Sequence, residues 1–266
     1  MKSIIQSLGF LLVLIIVATS LSSVQHTKEV RKTMSLESNG KLTIDTYKGT
    51  ISIETWNKPE VDMVATIEPD GWDRGDVEKV EDTEIRIDSS SDRVRIRTDY
   101  DHLRSHSHFF FGLFGDNSEN LPFVHYSIKM PSTAQLRIKD YKSDTKVSGL
   151  AAAMDIETYK GTLEIRDVKG PVDLDTYKGE AKIYFAKYVG TNRMKTYKGR
   201  IDLRLPSDAS FDLDADLGRR ADLETDFDHV GRTVHHGTAR YSGAENGGSN
   251  ILHLESEKGR FSLMKR

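Results

Sequence analysis

The sequence contains no cysteine, so it can form neither a disulfide bond nor a lipid anchor on a cysteine. Its stability therefore has to come from buried apolar side chains and paired backbone groups. The net charge of −3 is small and mixed, which argues against binding to nucleic acid. The sequence also lacks a phosphate-binding glycine loop, a Gly-x-Ser-x-Gly nucleophile motif and a His-Glu-x-x-His zinc motif.

One apolar run, residues 8–17, lies near the N-terminus behind Lys2, and the small residues Ala18, Ser20 and Ser22 follow it. The run is shorter than the ~20 residues of a membrane span, and its flanks are typical of a secretory signal peptide. We therefore predict a signal peptide at residues 1–23 and an exported protein that is periplasmic or at the cell surface. The alternative is an anchor helix at residues 4–22, and a membrane contact is expected only through this segment.

A four-residue word, Thr-Tyr-Lys-Gly, recurs along the chain. It stands at residues 46–49, 158–161, 176–179 and 196–199, and the variant Asp-Tyr-Lys-Ser stands at 140–143. From Tyr141 onwards the tyrosines of the word are 18, 18 and 20 residues apart. Weaker copies of the word end at Gly218 and Gly259. Self-similarity at a nearly fixed period is the sequence signature of a repeat architecture.

Apolar and polar residues alternate on both sides of the word. Ile156 and Thr158, up to the first residue of the word, share one face at even positions, whereas Leu163 and Ile165 after it share a face at odd positions. A period of two indicates strands with one buried face, and the change of phase at the word indicates a corner between two strands. We expect the glycine of the corner to supply a positive φ, which glycine adopts without steric cost.

Alignment of the copies predicts how they stack. Ile138, Ile156, Leu174 and Met194 form a buried row, and the exposed row Glu164, Lys182 and Asp202 alternates in charge. These rows predict an all-β fold, a right-handed, single-stranded β-solenoid (β-helix-like) of 18–20-residue rungs with additional N-terminal strands. The alternative is an antiparallel β-sandwich. We place the repeat domain at residues 37–266, with irregular insertions at about 99–122 and 224–249.

Four stretches in this order resemble a known family: GKLTIDTYKGTISIETWNKPEVDMVATI, VHYSIKMPSTAQLRIKDYKSDTKVSGL, DIETYKGTLEIRDVKGPVDLDTYKGEAKI and NGGSNILHLESEKGRFSL. The family is the putative adhesin family of bacterial β-strand-repeat domains, and the resemblance covers residues 37–266. It implies an exported, solenoid-like domain with no established enzymatic activity and no catalytic residues to carry over. The Tyr-Lys pair at the corner is a departure from the small polar residues of that family.

Stacked corners would align aromatic and basic side chains in a ridge. We call this set the Tyr–Lys ridge: Tyr141, Lys142, Tyr159, Lys160, Tyr177, Lys178, Tyr197 and Lys198. Such a ridge could bind a glycan or an acidic surface, because tyrosine offers a rigid apolar face with a polar tip and lysine attracts anions. In the alternative interpretation, the rings stack for stability and the lysines keep the stack soluble.

A second candidate is a loop rich in histidine and phenylalanine. Its residues are His106, His108, Phe109, Phe110, Phe111 and Phe114. The two histidines lack further ligands to complete a zinc site, so we expect no metal and no cofactor. The phenylalanines either pack on the stack or contact a partner.

These observations favour an exported, non-catalytic, adhesin-like binding or structural module of the cell envelope. Its partner would be an envelope or surface component, either a glycan or a protein. One alternative is a polysaccharide-acting β-helix enzyme, which would need convergent carboxylates in a groove rather than charges paired along rows. Another is a membrane-anchored envelope scaffold or sensor.

Overall fold

The computed structural model describes residues 26–71, 73–104, 120–235 and 238–266. Within these ranges the chain is almost entirely β, with one α-helix and one short 3-10 helix at Asp101–Arg104. Its strands form two large open sheets of mixed parallel and antiparallel pairing, one of ten and one of eleven strands. The predicted all-β class is confirmed.

The elements follow one another in chain order. The first part contains β1 (Lys28–Ser35), β2 (Lys41–Asp45), β3 (Lys48–Trp56), β4 (Glu60–Glu68), α1 (Arg74–Asp82), β5 (Glu84–Ser89), β6 (Arg93–Asp99) and β7 (Phe123–Pro131). The middle part contains β8 (Gln135–Asp140), β9 (Lys142–Ser148), β10 (Met154–Thr158), β11 (Thr162–Val168), β12 (Val172–Thr176), β13 (Glu180–Phe185), β14 (Thr191–Thr196) and β15 (Arg200–Leu205). The last part contains β16 (Phe211–Leu217), β17 (Asp222–Thr225), β18 (Gly231–His235), β19 (Thr238–Glu245), β20 (Ile251–Ser256) and β21 (Arg260–Lys265).

The strands that flank the repeated word pair in parallel with their counterparts in neighbouring copies. Strands before the word belong to the eleven-stranded sheet, where Ile156 pairs with Ile138 and Leu174. Strands after the word belong to the ten-stranded sheet, where Leu163 pairs with Ala181. The predicted alignment of the rows, including the charge-alternating row Glu164, Lys182 and Asp202, is therefore confirmed.

Spatial order departs from chain order at both ends of the repeat. The early copy is distant in sequence, yet β2 pairs with β8 and β3 pairs with β9. At the other end, β20 lies between β14 and β16, so the C-terminal copy separates residues 196–199 from the frame that ends at Gly218. The sequence predicts that the corner at Gly218 stacks next to the corner at Gly199. In the structure the corner at Gly259 lies next to Gly199 instead.

Further strands extend both sheets beyond the repeat, first in parallel at β7 and β6 and then antiparallel. At one end β7, β4 and β1 continue the ten-stranded sheet, and β6 and β5 continue the other. At the other end β19 and β18 form a hairpin within residues 224–249, where the sequence indicated only an irregular insertion. Strand β1 lies upstream of residue 37, and α1 lies in a segment that showed only polar composition.

One hydrophobic core includes side chains of both sheets, because alternate residues of most strands are buried. Ile44, Ile156 and Leu254 represent the eleven-stranded sheet, and Ile53 and Leu203 the ten-stranded sheet. Even the buried Asn192 of this core is satisfied, since its Oδ1 accepts a hydrogen bond from the Val172 backbone N–H. Burial and backbone pairing thus hold the chain together without disulfide bonds.

Candidate functional site

Five of the corners, from the variant copy at 140–143 to the C-terminal copy, are fixed by a hydrogen bond inside the word. The hydroxyl oxygen of Thr176 accepts from the backbone N–H of Gly179 at 2.9 Å, and Thr158 and Thr196 do the same for the glycines of their copies. The C-terminal copy uses Ser256, and the variant copy uses the carboxylate of Asp140. A residue with a side-chain oxygen three positions before the glycine is therefore what the corner requires.

The glycines of these corners have a different role from the one that the sequence suggested. Among the four Thr-Tyr-Lys-Gly words, φ is positive only at Gly49, where it is 134°, and not at Gly161, Gly179 or Gly199. The expected positive φ is therefore wrong for these three glycines. A Cβ at Gly161 would lie 2.4 Å from the carbonyl oxygen of Ser143. Glycine is needed because the neighbouring corner approaches so closely.

The stacked corners align five tyrosine rings in a continuous ladder. Adjacent rings lie 4.7 or 4.8 Å apart between centroids, with interplanar angles of 4° to 10°. This tyrosine ladder consists of Tyr47, Tyr141, Tyr159, Tyr177 and Tyr197. Backbone hydrogen bonds run beside the rings, as when the Lys178 N–H donates to the Tyr159 carbonyl oxygen at 2.9 Å. The juxtaposition of successive tyrosines is confirmed.

Stacking decides which parts of the rings a ligand can reach. The faces of the three central rings are covered by neighbouring rings on both sides. Tyr177 is nevertheless 36% exposed. The ladder thus offers a row of ring edges and phenol groups, not open aromatic faces.

The lysines of the Tyr–Lys ridge lie beside this ladder and are exposed. The Lys160 ammonium is 5.5 Å from the Tyr159 ring centre and 5.6 Å from that of Tyr141. The Lys178 ammonium is 5.4 Å from the Tyr177 ring centre. Cation–π attraction of this kind is weak at exposed sites, about 0.5–1 kcal/mol, but it orients the ammonium groups.

The ladder ends under a further lysine that was not assigned to the ridge. The Lys258 Nζ donates a hydrogen bond to the Tyr197 hydroxyl at 2.7 Å and lies 4.8 Å from the ring centre. Lys258 belongs to the C-terminal copy, in which Glu257 replaces the tyrosine. The Lys-Gly pair at 258–259 is the sequence signal that identifies this residue.

A groove beside the end of the ladder was not foreseen from the sequence. It has a volume of about 400 Å³ and is lined by Tyr177, Tyr197, Lys195 and four acidic residues. We call it the acidic groove after those four: Asp175, Asp216, Glu255 and Glu257. Burial raises the pKa of the Asp175 carboxyl; Lys195 opposes this effect, whereas nearby carboxylates reinforce it.

The predicted interaction loop, from His106 to Phe114, lies outside the described residues. Residues 1–25 lie outside them as well, including the predicted signal peptide or anchor. In the described ranges, no helix has both the length and the apolar character needed to cross a membrane. Nor do the described parts of the chain contain a group of three or more His, Cys, Asp or Glu side chains that could hold a metal ion.

Comparison with known proteins gives matches at the level of structure alone. No family model and no curated protein sequence matches the chain. A crystal structure titled "putative cell adhesion protein" from Clostridium sporogenes aligns with 90% of this chain and 100% of its own, at 11% identity and a TM-score of 0.46. A "putative adhesin" from Bacteroides fragilis aligns with 90% of this chain and 97% of its own, at 12% identity and a TM-score of 0.35.

Proposed function

We propose that the protein is an exported, non-catalytic, adhesin-like module of the cell envelope whose Tyr–Lys ridge binds a linear acidic glycan. The observation that carries this proposal is the periodicity of the ridge, in which exposed lysines recur in step with rings 4.7 to 4.8 Å apart. A polymer with regularly spaced carboxylates can contact several lysines together. Each exposed ion pair contributes only about 0.2–1 kcal/mol, but contacts along one polymer act in concert.

The rigidity of the ridge supports binding without a large ordering cost. The ring stack and the backbone ladder fix the positions of the tyrosines, and the nearby rings restrict Lys160 and Lys178. Pre-organised side chains lose less conformational entropy when a ligand binds. The ligand would contact ring edges, phenol hydroxyls and ammonium groups, because the ring faces are covered.

The proposed scaffold is a right-handed, single-stranded β-solenoid. The parallel register of β8, β10, β12 and β14 and of β9, β11, β13 and β15 supports it. Connections between parallel strands of one sheet are right-handed in about 98% of cases. An experimental structure in which the chain passes from β10 through β11 to β12 with left-handed sense would contradict this assignment.

Export rests on the N-terminal sequence, with its basic start, short apolar run and small residues. A membrane-anchored scaffold or sensor is the corresponding alternative, in which residues 4–22 are retained. Determination of the N-terminal residue of the mature protein separates the two: a start near residue 24 supports a cleaved signal peptide, and a start at Met1 or Lys2 supports the anchor.

The ridge is tested with a triple variant, Lys160→Ser, Lys178→Ser and Lys198→Ser. Binding of the mature protein to soluble alginate, a linear polyuronate, is measured by calorimetry at ~0.05 and ~0.5 M salt, since exposed charges are screened as the Debye length falls. We expect the variant to lose at least about tenfold in affinity at low salt, which corresponds to about 1.4 kcal/mol over three contacts.

A matched control removes the same charge elsewhere, with Lys146→Ser, Lys182→Ser and Lys187→Ser, all exposed. We expect this control to stay within about twofold of the wild type, because charges off the ridge act only at long range. Equal losses in both triple variants would mean a general charge effect, and undiminished binding by the ridge variant would refute the proposal.

A polysaccharide-acting enzyme is the second candidate, and the acidic groove is the observation that favours it. A carboxyl group with a raised pKa among other carboxylates, here Asp175 near Glu255, is an arrangement that acid–base catalysis on glycans uses. Release of new reducing ends from a polysaccharide, lost in Asp175→Asn and retained in Asp208→Asn, would establish this function and overturn the non-catalytic assignment.

A further inference from the structure

A second groove lies in the ten-stranded sheet at the ends of the strands that are farther from the Tyr–Lys corners. It has a volume of about 470 Å³ and is formed where β7, β3, β9 and β11 end. Ser132, Trp56, Gly149 and Asp167 come from these four strand ends, which are adjacent in the sheet. The seven residues of β11 separate these strand ends from the corner, so the groove lies about 20 Å from the Tyr–Lys ridge.

Trp56 provides a fixed aromatic plane in this groove. Its indole Nε1–H donates a hydrogen bond to the Glu60 carbonyl oxygen at 2.8 Å, and the Lys58 ammonium lies 4.7 Å from the ring centre. The ring is only partly buried. Its orientation is therefore set before any ligand arrives.

The backbone around the groove is held in the left-handed region at two successive strand ends. Gly149 has a φ of 82°, and a Cβ there would lie 2.5 Å from the Thr55 hydroxyl oxygen. Asp167 has a φ of 55° and falls where the pairing of β11 with β13 shifts, between Ile165 and Val168. A non-glycine residue in this conformation costs free energy, and such residues cluster at functional sites.

The polar groups that line the groove balance each other in charge. Asp167 contributes a carboxylate, Lys169 an ammonium group, Asn57 an amide and Ser132 a hydroxyl. Together they offer hydrogen-bond donors and acceptors around an aromatic plane. A ligand that matches them has an apolar face, many hydroxyl groups and no net charge.

We infer that this Trp56 groove binds a neutral saccharide of one or two sugar units. Sugar rings combine a face of C–H groups, which packs on an aromatic plane, with hydroxyl groups that pair with carboxylate, amide and ammonium groups. The inference uses residues distant from the ridge. The alginate experiment on the ridge and the experiment below therefore succeed or fail independently.

The test uses the mature chain with Trp72→Phe, which leaves Trp56 as the single tryptophan of the sequence. Trp56 fluorescence is titrated with neutral disaccharides of glucose, galactose, mannose and N-acetylglucosamine, each up to about 50 mM. We expect at least one saturable change with a Kd of about 0.1–10 mM, which is the range for a small ligand in an open site. If none of the disaccharides gives a saturable change, the inference is overturned.

Two variants then locate the bound sugar. Asp167→Asn keeps the size and the tolerance of a left-handed backbone but removes the charge, and Lys169→Met removes the ammonium group. We expect each to weaken binding by about tenfold, as loss of a hydrogen bond to a charged group does. Asp208→Asn, an exposed acid outside the groove, should leave the Kd unchanged. Unchanged affinity in both groove variants would place the sugar elsewhere and refute this site.

Discussion

The carbonyl oxygen of Gly161 lies 2.5 Å from the position that a Cβ on Gly179 would occupy. The hydroxyl oxygen of Thr176 lies at the same distance from that position. The corner of one copy therefore leaves no space for a side chain on the next. This contact, repeated between Gly199 and Gly179 at 2.2 Å, lets the tyrosines stack at the spacing of the strands.

Gly179→Ala should destabilise the protein by about 1–3 kcal/mol, because the new methyl group overlaps backbone atoms that cannot move independently. The free energy of unfolding is measured by urea denaturation. Gly231→Ala is the control, since its Cβ would meet only the Ser242 carbonyl oxygen at 3.5 Å. It should change stability by less than about 0.5 kcal/mol. Equal stabilities of the two variants would contradict the close approach at the corner.

Asp140 should make the stability depend on pH. Burial raises the pKa of its carboxyl to about 6, although hydrogen bonds from Ser143 and Thr158 partly offset the effect. The folded state therefore binds a proton that the unfolded state, with its ordinary pKa near 3.8, has already released. Stability from this group is highest below about pH 4, falls as the pH rises to about 6, and is constant above.

Asp140→Asn removes this titration and keeps an oxygen that can accept from the Ser143 N–H. The unfolding free energy of the variant minus that of the wild type should rise by roughly 2–3 kcal/mol from pH 4 to pH 7, because only the wild type loses stability over a pKa shift of about two units. Urea denaturation at several pH values measures it. A difference that is the same at every pH would show that Asp140 does not titrate in this range.

Tyr177 allows the contribution of ring stacking to the stability of the protein to be measured. Tyr177→Ala removes two ring stacks, with Tyr159 and Tyr197, and should cost about 1–3 kcal/mol. Tyr177→Phe retains both stacks and should cost less than about 0.5 kcal/mol. Thermal and urea unfolding provide the measurement. A fully stable Tyr177→Ala protein would mean that the rings do not hold the ladder together.

Much of the repeat could be predicted, because side-chain period and copy length together specify a parallel register. Ile156 falls beside Ile138 and Leu174 for this reason. The role of glycine could not be predicted, since a missing Cβ permits either a positive φ or a close approach, and only coordinates distinguish them. The order in which the last copies stack could not be predicted either, because the copies that end at Gly218 and Gly259 resemble the word equally weakly.

The two grooves show a second limit of the sequence. Asp216 and Glu257 come from copies that exchange places in space, so their proximity to Asp175 follows from the order of strands rather than from spacing. Trp56 and Asp167 are likewise brought together by the pairing of β3, β9 and β11. Helix α1 is one short segment of nine residues, Arg74–Asp82, and the side chain of the preceding Asp73 caps it. Its polar composition gave no periodic signal.

Lys48 provides a test of how far the lysines of neighbouring copies differ in environment. Lys48 pairs in register with Lys142, but its side chain is only 7% exposed, whereas Lys142 is exposed. The Lys48 ammonium lies 2.9 Å from the Asp70 carboxylate and 4.3 Å from the Phe123 ring centre. Strands β4 and β7 extend the ten-stranded sheet at this end and bring Asp70 and Phe123 over the corner.

Lys48→Met should therefore destabilise the protein by about 2–3 kcal/mol, because it leaves the Asp70 carboxylate partly buried without its partner. Lys142→Met, the same change one copy away, should stay within about 0.5 kcal/mol. The double variant Lys48→Met with Asp70→Asn should recover part of the loss, since the uncompensated charge is then absent. Urea denaturation of all three variants decides the matter. Equal effects of Lys48→Met and Lys142→Met would show that position in the stack does not distinguish the two lysines.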